Sequence, residues 1–149
     1  MTWDEFYKGM ARYVSTKSKD PSTQCGAVIV GPDNEVRSIG YNGFPRGVDD
    51  DVSERWNRPE KYYWVAHAEA NAIANAARVG IPVKGCKIYI THPPCADCAV
   101  LIANAGIIRA VWPEDFYFGH KRKWFESCKR AVDIFVEAGI GMSSFSFRI

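Results

Sequence analysis

"CKIYITHPPCADCAVLIANAGIIRAVW", residues 86–112, decides the fold. Its ends, "CKIYITH" and "IIRAVW", are short β runs rich in Ile, Val and Tyr. Between them "PPCADCAVLIANAG" opens on Pro94, a good first-turn residue, and closes on Gly106. A strand, a helix and a strand joined this closely fit a parallel βαβ crossover. Cys95 and Cys98 fall at the start of that helix, where unpaired N–H groups and the positive dipole end favour thiolates. Such a pair is half a zinc site, a redox couple or two buried thiols.

Outward from this unit the pattern continues. "HAEANAIANAARVG", residues 67–80, is rich in Ala and stops at Gly80, which predicts a helix. Upstream, "CGAVIV" and "VRSIGY" flank the turn residues of "GPDNE" and predict a β-hairpin with one buried strand. Thr2 and Glu5 form a capping-box pattern, with Trp3, Phe6, Met10 and Tyr13 at helical spacing, so a first helix is expected to about Ser18. Residues 42–64 read as a long irregular stretch, of the kind that is usually functional or mobile. A last amphipathic helix is expected over about Lys121 to Ala138, and "SSFSFRI" alternates like a final strand. The order α-β-β-α-β-α-β-α-β implies an α/β fold with one mixed sheet and helices on both faces. No repeat or linker divides residues 1–149, which read as a single domain.

Composition bounds the function. The chain is 47% hydrophobic and 24% charged, which is globular and not disordered. No apolar run approaches the roughly 18 residues of a membrane span. The N-terminus carries acids early and lacks an apolar h-region, so no signal peptide, a cytoplasmic setting and no membrane partner are expected. Five cysteines, an odd number with one close pair, point in a reducing compartment to a metal or catalysis. A net charge of +2 neither demands nor excludes a nucleic-acid partner.

The rest of the metal site is expected at the other helix start. His67, Cys95 and Cys98 give three ligands that suit Zn2+, and no fourth stands at close spacing near His67. Three ligands with one open position is the catalytic arrangement. Glu69, two residues past His67, points elsewhere on the first turn and can serve a water there as proton carrier. "HAE" followed by "PCADC" is the recognised signature of zinc deaminases. A closed structural site would need Cys86, His92 or Cys128 as fourth ligand, and His92 is the candidate nearest Cys95. In that case the chain would be a zinc-stabilised binding module without turnover.

"SKDPSTQCGAVIV", "GYNGFPRG", "HAEANAI" and "GIPVKGCKIYITHPPCADCAVLIANAGI" together resemble the deoxycytidylate (dCMP) deaminase family, over about residues 12–111. The resemblance implies a three-layer α/β/α cytidine deaminase-like fold with a mixed five-stranded sheet. It implies hydrolysis of dCMP to dUMP and ammonia by a zinc-bound hydroxide, with Glu69 as the catalytic proton shuttle. His67, Cys95 and Cys98 would hold zinc. Asn42 would hydrogen-bond the sugar or base, the Ala68 N–H would meet the pyrimidine carbonyl, and Ser22 and Gln24 would lie near the sugar-phosphate. A homo-oligomer, dimer or hexamer, is implied as well. Cys25 stands where the family usually has Val, and the segment after Trp112 departs from the family's pattern. The alternative is a deaminase of another cytosine or purine nucleotide or nucleoside, or of an RNA or DNA base.

The stretch "FYFGHKRKWF", residues 116–125, reads first as a helix start with an apolar face buried. Its rivals are a single-stranded nucleic-acid contact and a phosphate contact through Lys121 or Arg122. Cys25, Cys86 and Cys128 read as buried thiols, and Asp49–Asp51 as a solvated loop.

Overall fold

The computed structural model describes residues 1–143 and 145–149. Helix α1, Trp3–Ser15, begins on the capping box of Thr2 and Glu5. It ends earlier than expected because Ser18 turns inward and donates its hydroxyl to the Asn42 carbonyl at 2.8 Å. Strands β1, Gly26–Val30, and β2, Val36–Tyr41, form the antiparallel hairpin, and β1 is buried throughout. A 3-10 turn at Ser53–Trp56 and a short helix α2, Lys61–Trp64, interrupt the long stretch before the next helix. Then follow α3, Ala68–Val79, β3, Lys87–Ile90, α4, Ala96–Asn104, and β4, Arg109–Val111. Strand β5, Asp115–Tyr117, precedes α5, Arg122–Ala138, and two short strands end the chain: β6, Gly141–Met142, and β7, Ser146–Arg148.

The main sheet has five strands in the order β2-β1-β3-β4-β6. Its β2-β1-β3 side is antiparallel, whereas β3, β4 and β6 run parallel. The crossover from β3 through α4 to β4 is therefore the parallel βαβ unit read from the sequence. Alternation along each strand splits the core into two layers. Val28, Val30, Tyr89 and Val111 pack on Tyr7, Ala11 and Val14 of α1. Ala27, Ile29, Ile88, Ile90 and Ala110 face the other way, onto side chains from α3, α4 and α5.

Three expectations change. Trp3, Phe6 and Tyr13 are exposed, and α1 buries the neighbouring face instead. Pro94 lies outside the helix and not in its first turn, because Cys95 takes the N-cap and Ala96 is the first helical residue. The fifth strand of the sheet is Gly141–Met142 and not "SSFSFRI". Ser144 lies outside the described residues. Residues 146–148 pair instead with β5 in a separate parallel ribbon, held by aromatic packing among Phe116, Phe118 and Phe147.

Candidate active site

The crossover places two helix N-termini at one end of the sheet, because α3 and α4 both pack on the same face. His67 is the N-cap of α3 and Cys95 the N-cap of α4. Both have extended backbones, and neither side chain caps its own helix, so imidazole and thiol are left to point across the gap. Cys98 follows in the first turn of α4 and is buried. His67 Nδ1 lies 3.4 Å from Cys95 Sγ and 3.4 Å from Cys98 Sγ. The donor atoms of all three lie within 4.8 Å of one another, which makes the group able to hold a metal ion. One imidazole and two thiolates suit a borderline-soft ion.

Contacts within the group set its protons. Cys95 is pulled down to about 4 by the Cys98 thiol that donates to it and by His67, against the opposing effect of burial. His67 is raised to about 9, chiefly by its hydrogen bond with Cys95, with the charges of Glu69 and Cys95 adding to it. Cys98 is pushed up by its donation to Cys95 and by burial. Without a metal the group is thus an imidazolium–thiolate pair beside a protonated thiol.

Glu69, the second residue of α3, is buried, and burial raises its carboxyl above the ordinary value. A cavity of about 770 Å³ opens above it. His67, Ala68, Glu69 and Cys95 line it at the metal-capable end. Asn42, Cys25 and His92 form part of a wall. Asp20, Arg58, Lys61 and residues 120–124 are also part of the lining.

The expected residues thus come together in large part. His67, Cys95, Cys98, Glu69, Ala68 and Asn42 converge, whereas Ser22 and Gln24 are not among the lining residues. Ser22 Oγ donates to Asp20 at 2.9 Å and accepts from Lys61 at 3.0 Å, and Gln24 Nε2 donates to the Ser18 carbonyl at 2.7 Å. Asn42 is a clamp as well as a wall: its Oδ1 accepts the Cys25 N–H at 2.7 Å and its Nδ2 donates to the Thr23 carbonyl at 2.8 Å. His92 is not part of the metal-capable group; its Nδ1 contacts Thr91 Oγ1 and Cys25 Sγ. The acids at 49–51 form a surface cluster, with Lys19 within 2.8 Å of Asp50 and 3.0 Å of Asp51.

Arg58, Lys61 and Asp20 were not anticipated as site residues. Their signals are that Arg58 and Lys61 fall in the irregular stretch 42–64 and that Asp20 falls in "SKDPSTQ" beside Ser22 and Gln24. Of the aromatics of 116–125, Phe116, Phe118, Trp124 and Phe125 are engaged with one another, while Tyr117 is exposed. Phe118 is buried and packs edge-on against Phe116, Trp124 and Phe125, with centroids 5.0–5.3 Å apart.

Known proteins share these features. Residues 1–113 match the family described as the cytidine and deoxycytidylate deaminase zinc-binding region. Human deoxycytidylate deaminase is 42% identical over 123 residues, which cover 78% of this chain and 67% of the human protein. An uncharacterized deaminase from the luxG 3′ region of Aliivibrio fischeri is 40% identical over 141 residues, covering 93% of this chain and 90% of the relative. The dCMP deaminase of cyanophage S-TIM5, solved in complex with dCMP and dUMP, has the same fold. It superposes with a TM-score of 0.74 at 24% identity, over 95% of each chain. With its α/β sheet, its paired helix starts and this match across most of its length, the chain belongs to the cytidine and deoxycytidylate deaminase family and is a hydrolytic deaminase.

Proposed function

We propose that this deaminase converts dCMP and water to dUMP and ammonia, with zinc held by His67, Cys95 and Cys98 and with Glu69 carrying the protons. The observation that carries the reading is a buried carboxyl, Glu69, that lines the same cavity as His67 and Cys95 of the three-donor group. The donor spacing suits zinc. Tetrahedral Zn–N and Zn–S bonds of about 2.0–2.1 and about 2.3 Å put N and S about 3.6 Å apart. The His67–Cys distances are 3.4 Å. Human deoxycytidylate deaminase and the phage enzyme's dCMP and dUMP complex support the substrate.

Zinc in a site with three protein ligands supplies, when bound, the Lewis acidity that makes hydroxide available near neutral pH. The chain's own groups do the rest. Glu69, its carboxyl raised by burial, takes a proton from the attacking water and passes it to pyrimidine N3. The same carboxyl then moves the second proton to the 4-amino group, which leaves as ammonia as C4 becomes a carbonyl. The Ala68 N–H, at the first position of α3, has no hydrogen-bond partner among the described residues and suits the pyrimidine carbonyl. Arg58, Lys121 and Lys123 line the cavity with no carboxylate within 4.0 Å among the described residues, so the cavity favours an anionic nucleotide over a nucleoside. The mutual packing of Phe116, Phe118, Trp124 and Phe125 favours a mononucleotide over a polynucleotide, whose bases need open stacking faces. The proposal takes residues 1–149 as one deaminase domain, acting in the cytoplasm as a homo-oligomer. No helix among the described residues is long and apolar enough to cross a membrane.

The test is ammonia release from dCMP, dCTP, deoxycytidine, 5-substituted dCMP and a short RNA, assayed side by side. The highest kcat/KM is expected for dCMP. A preference for RNA, or for deoxycytidine over dCMP, overturns the substrate.

A further inference from the structure

His92 lies in the cavity wall, three residues ahead of Cys95, with a setting of its own. Its ring packs against two aromatics that also touch each other. Phe116 meets it edge-on with centroids 5.4 Å apart, and Trp124 lies tilted at 5.9 Å. Its Nδ1 is 2.9 Å from Thr91 Oγ1 and 3.3 Å from Cys25 Sγ. Thr91 Oγ1 already accepts the Gly26 N–H at 3.0 Å, which leaves its own hydrogen to give. The Cys25 thiol also keeps its hydrogen, since burial and the Glu69 charge hold its pKa up at about 12.

Two hydrogen-bearing groups therefore face one ring nitrogen. A lone pair on Nδ1 lets both groups donate to it, whereas a proton there would need Thr91 Oγ1 or Cys25 Sγ to turn and accept. With Nδ1 as the acceptor, the ring proton resides on Nε2. Burial, with the charge of Lys121 adding to it, pushes the His92 pKa down to about 4, so the ring stays neutral. Nε2 makes no hydrogen bond among the described residues and is not among the buried atoms that lack a partner, so it reaches the open cavity. Lys121, also in the lining, holds its ammonium 5.3 Å from the centroid of the same Trp124 that packs on His92.

We propose that His92 touches the substrate as a fixed Nε2–H donor and that, together with Lys121, it binds a phosphate oxygen of the nucleotide. The assignment rests on the nucleotide-deaminase reading above. A neutral N–H beside a cation gives direction to the phosphate, while Lys121 supplies charge. Thr91 and Cys25 fix the tautomer, and the two aromatic rings fix the ring plane.

Two substitutions separate the ends of the ring. The amide nitrogen of His92→Gln falls near the place of Nε2, and that of His92→Asn near Nδ1. In the zinc-loaded full chain, His92→Gln is expected to keep KM for dCMP within about threefold. His92→Asn is expected to raise it about 10- to 100-fold, the usual range for a hydrogen bond to a charged group, with KM for deoxycytidine unchanged. The reverse order, or equal losses on dCMP and deoxycytidine, assigns His92 a structural role and overturns the proposal. Nitrogen-15 NMR of the wild-type ring gives a readout apart from turnover. Nε2–H is expected, with a shift on adding dCMP and none on adding deoxycytidine; an Nδ1–H tautomer or no dCMP-specific shift overturns it. Absence of dCMP turnover in the wild type counts against the proposed function, while the NMR arm still decides His92.

Discussion

Lys61 Nζ lies 2.9 Å from Asp20 Oδ2, and both side chains are almost wholly buried beside the cavity. The pair ties α2 to the segment after α1, and Asn42 Nδ2 reaches the same carboxylate oxygen at 3.3 Å. Removing one partner leaves a buried charge without compensation, which costs about 3–5 kcal/mol. Lys61→Met should therefore lower stability to denaturant by about that amount. Asp20→Asn in the same background should recover part of it. Two full, additive losses in a double-mutant cycle would mean that the residues do not act as a pair.

The same pair sets an acid limit. Burial alone would raise the Asp20 carboxyl, but the Lys61 ammonium and donors from Ser22 and Thr23 outweigh it and hold the pKa below its ordinary value. A depressed folded-state pKa contributes stability that is present above the unfolded value of about 3.9 and is lost as pH falls through the folded value. The stability advantage of wild type over Asp20→Asn should be level above about pH 5 and shrink below about pH 4. Denaturant titrations across that range measure it, and an advantage that grows with acid would refute the sign.

Zinc binding should be a proton-releasing event. At pH 7 the metal-free group holds protons on His67, raised to about 9, and on Cys98, while Cys95 at about 4 is already a thiolate. Close to two protons per chain should appear when zinc is added to the apo protein in weak buffer with a pH dye. Mass spectrometry after brief iodoacetamide treatment at pH 6 should find Cys95 modified first in the apo protein and spared after zinc loading. Preferred labelling of Cys25 or Cys128, whose thiols burial pushes up, would contradict the assignment.

Gly40 lets β2 lie directly against α3. A β-carbon there would overlap the Ala72 N and the Ala68 carbonyl, backbone atoms of the helix that carries Glu69. Gly40→Ala should cost about 1–3 kcal/mol or more in stability and lower kcat by displacing α3. Unchanged stability and turnover would show that the contact is looser than the geometry indicates.

How far the sequence reveals these features depends on the range of the interaction. The crossover over 86–112 was legible because each part carries a local mark: Ile and Val runs, Pro94 and Gly106. His67 and Cys95 were legible as helix starts, and their meeting follows from the crossover. The β5–β7 ribbon was not. Its strands have three residues each, lie some thirty residues apart and are held by aromatic packing that no local pattern encodes. The fifth strand of the sheet, with two residues, carries too little pattern to compete with "SSFSFRI". On α1 the helix was legible and its buried face was not, since Tyr7 and Tyr13 look alike in sequence and only the sheet chooses Tyr7. Asp20 and Lys61 are charged residues in loop-like sequence, and their burial as a pair comes from tertiary structure alone.

The central claim is that Glu69 carries the protons while the His67, Cys95 and Cys98 group holds the metal. Its most direct test is the rate of dCMP deamination by Glu69→Gln, with zinc content measured on the same sample. The account predicts one zinc per chain and a loss in kcat of about 100- to 10,000-fold, the range for general acid–base catalysis. A zinc-replete variant with wild-type turnover would contradict it.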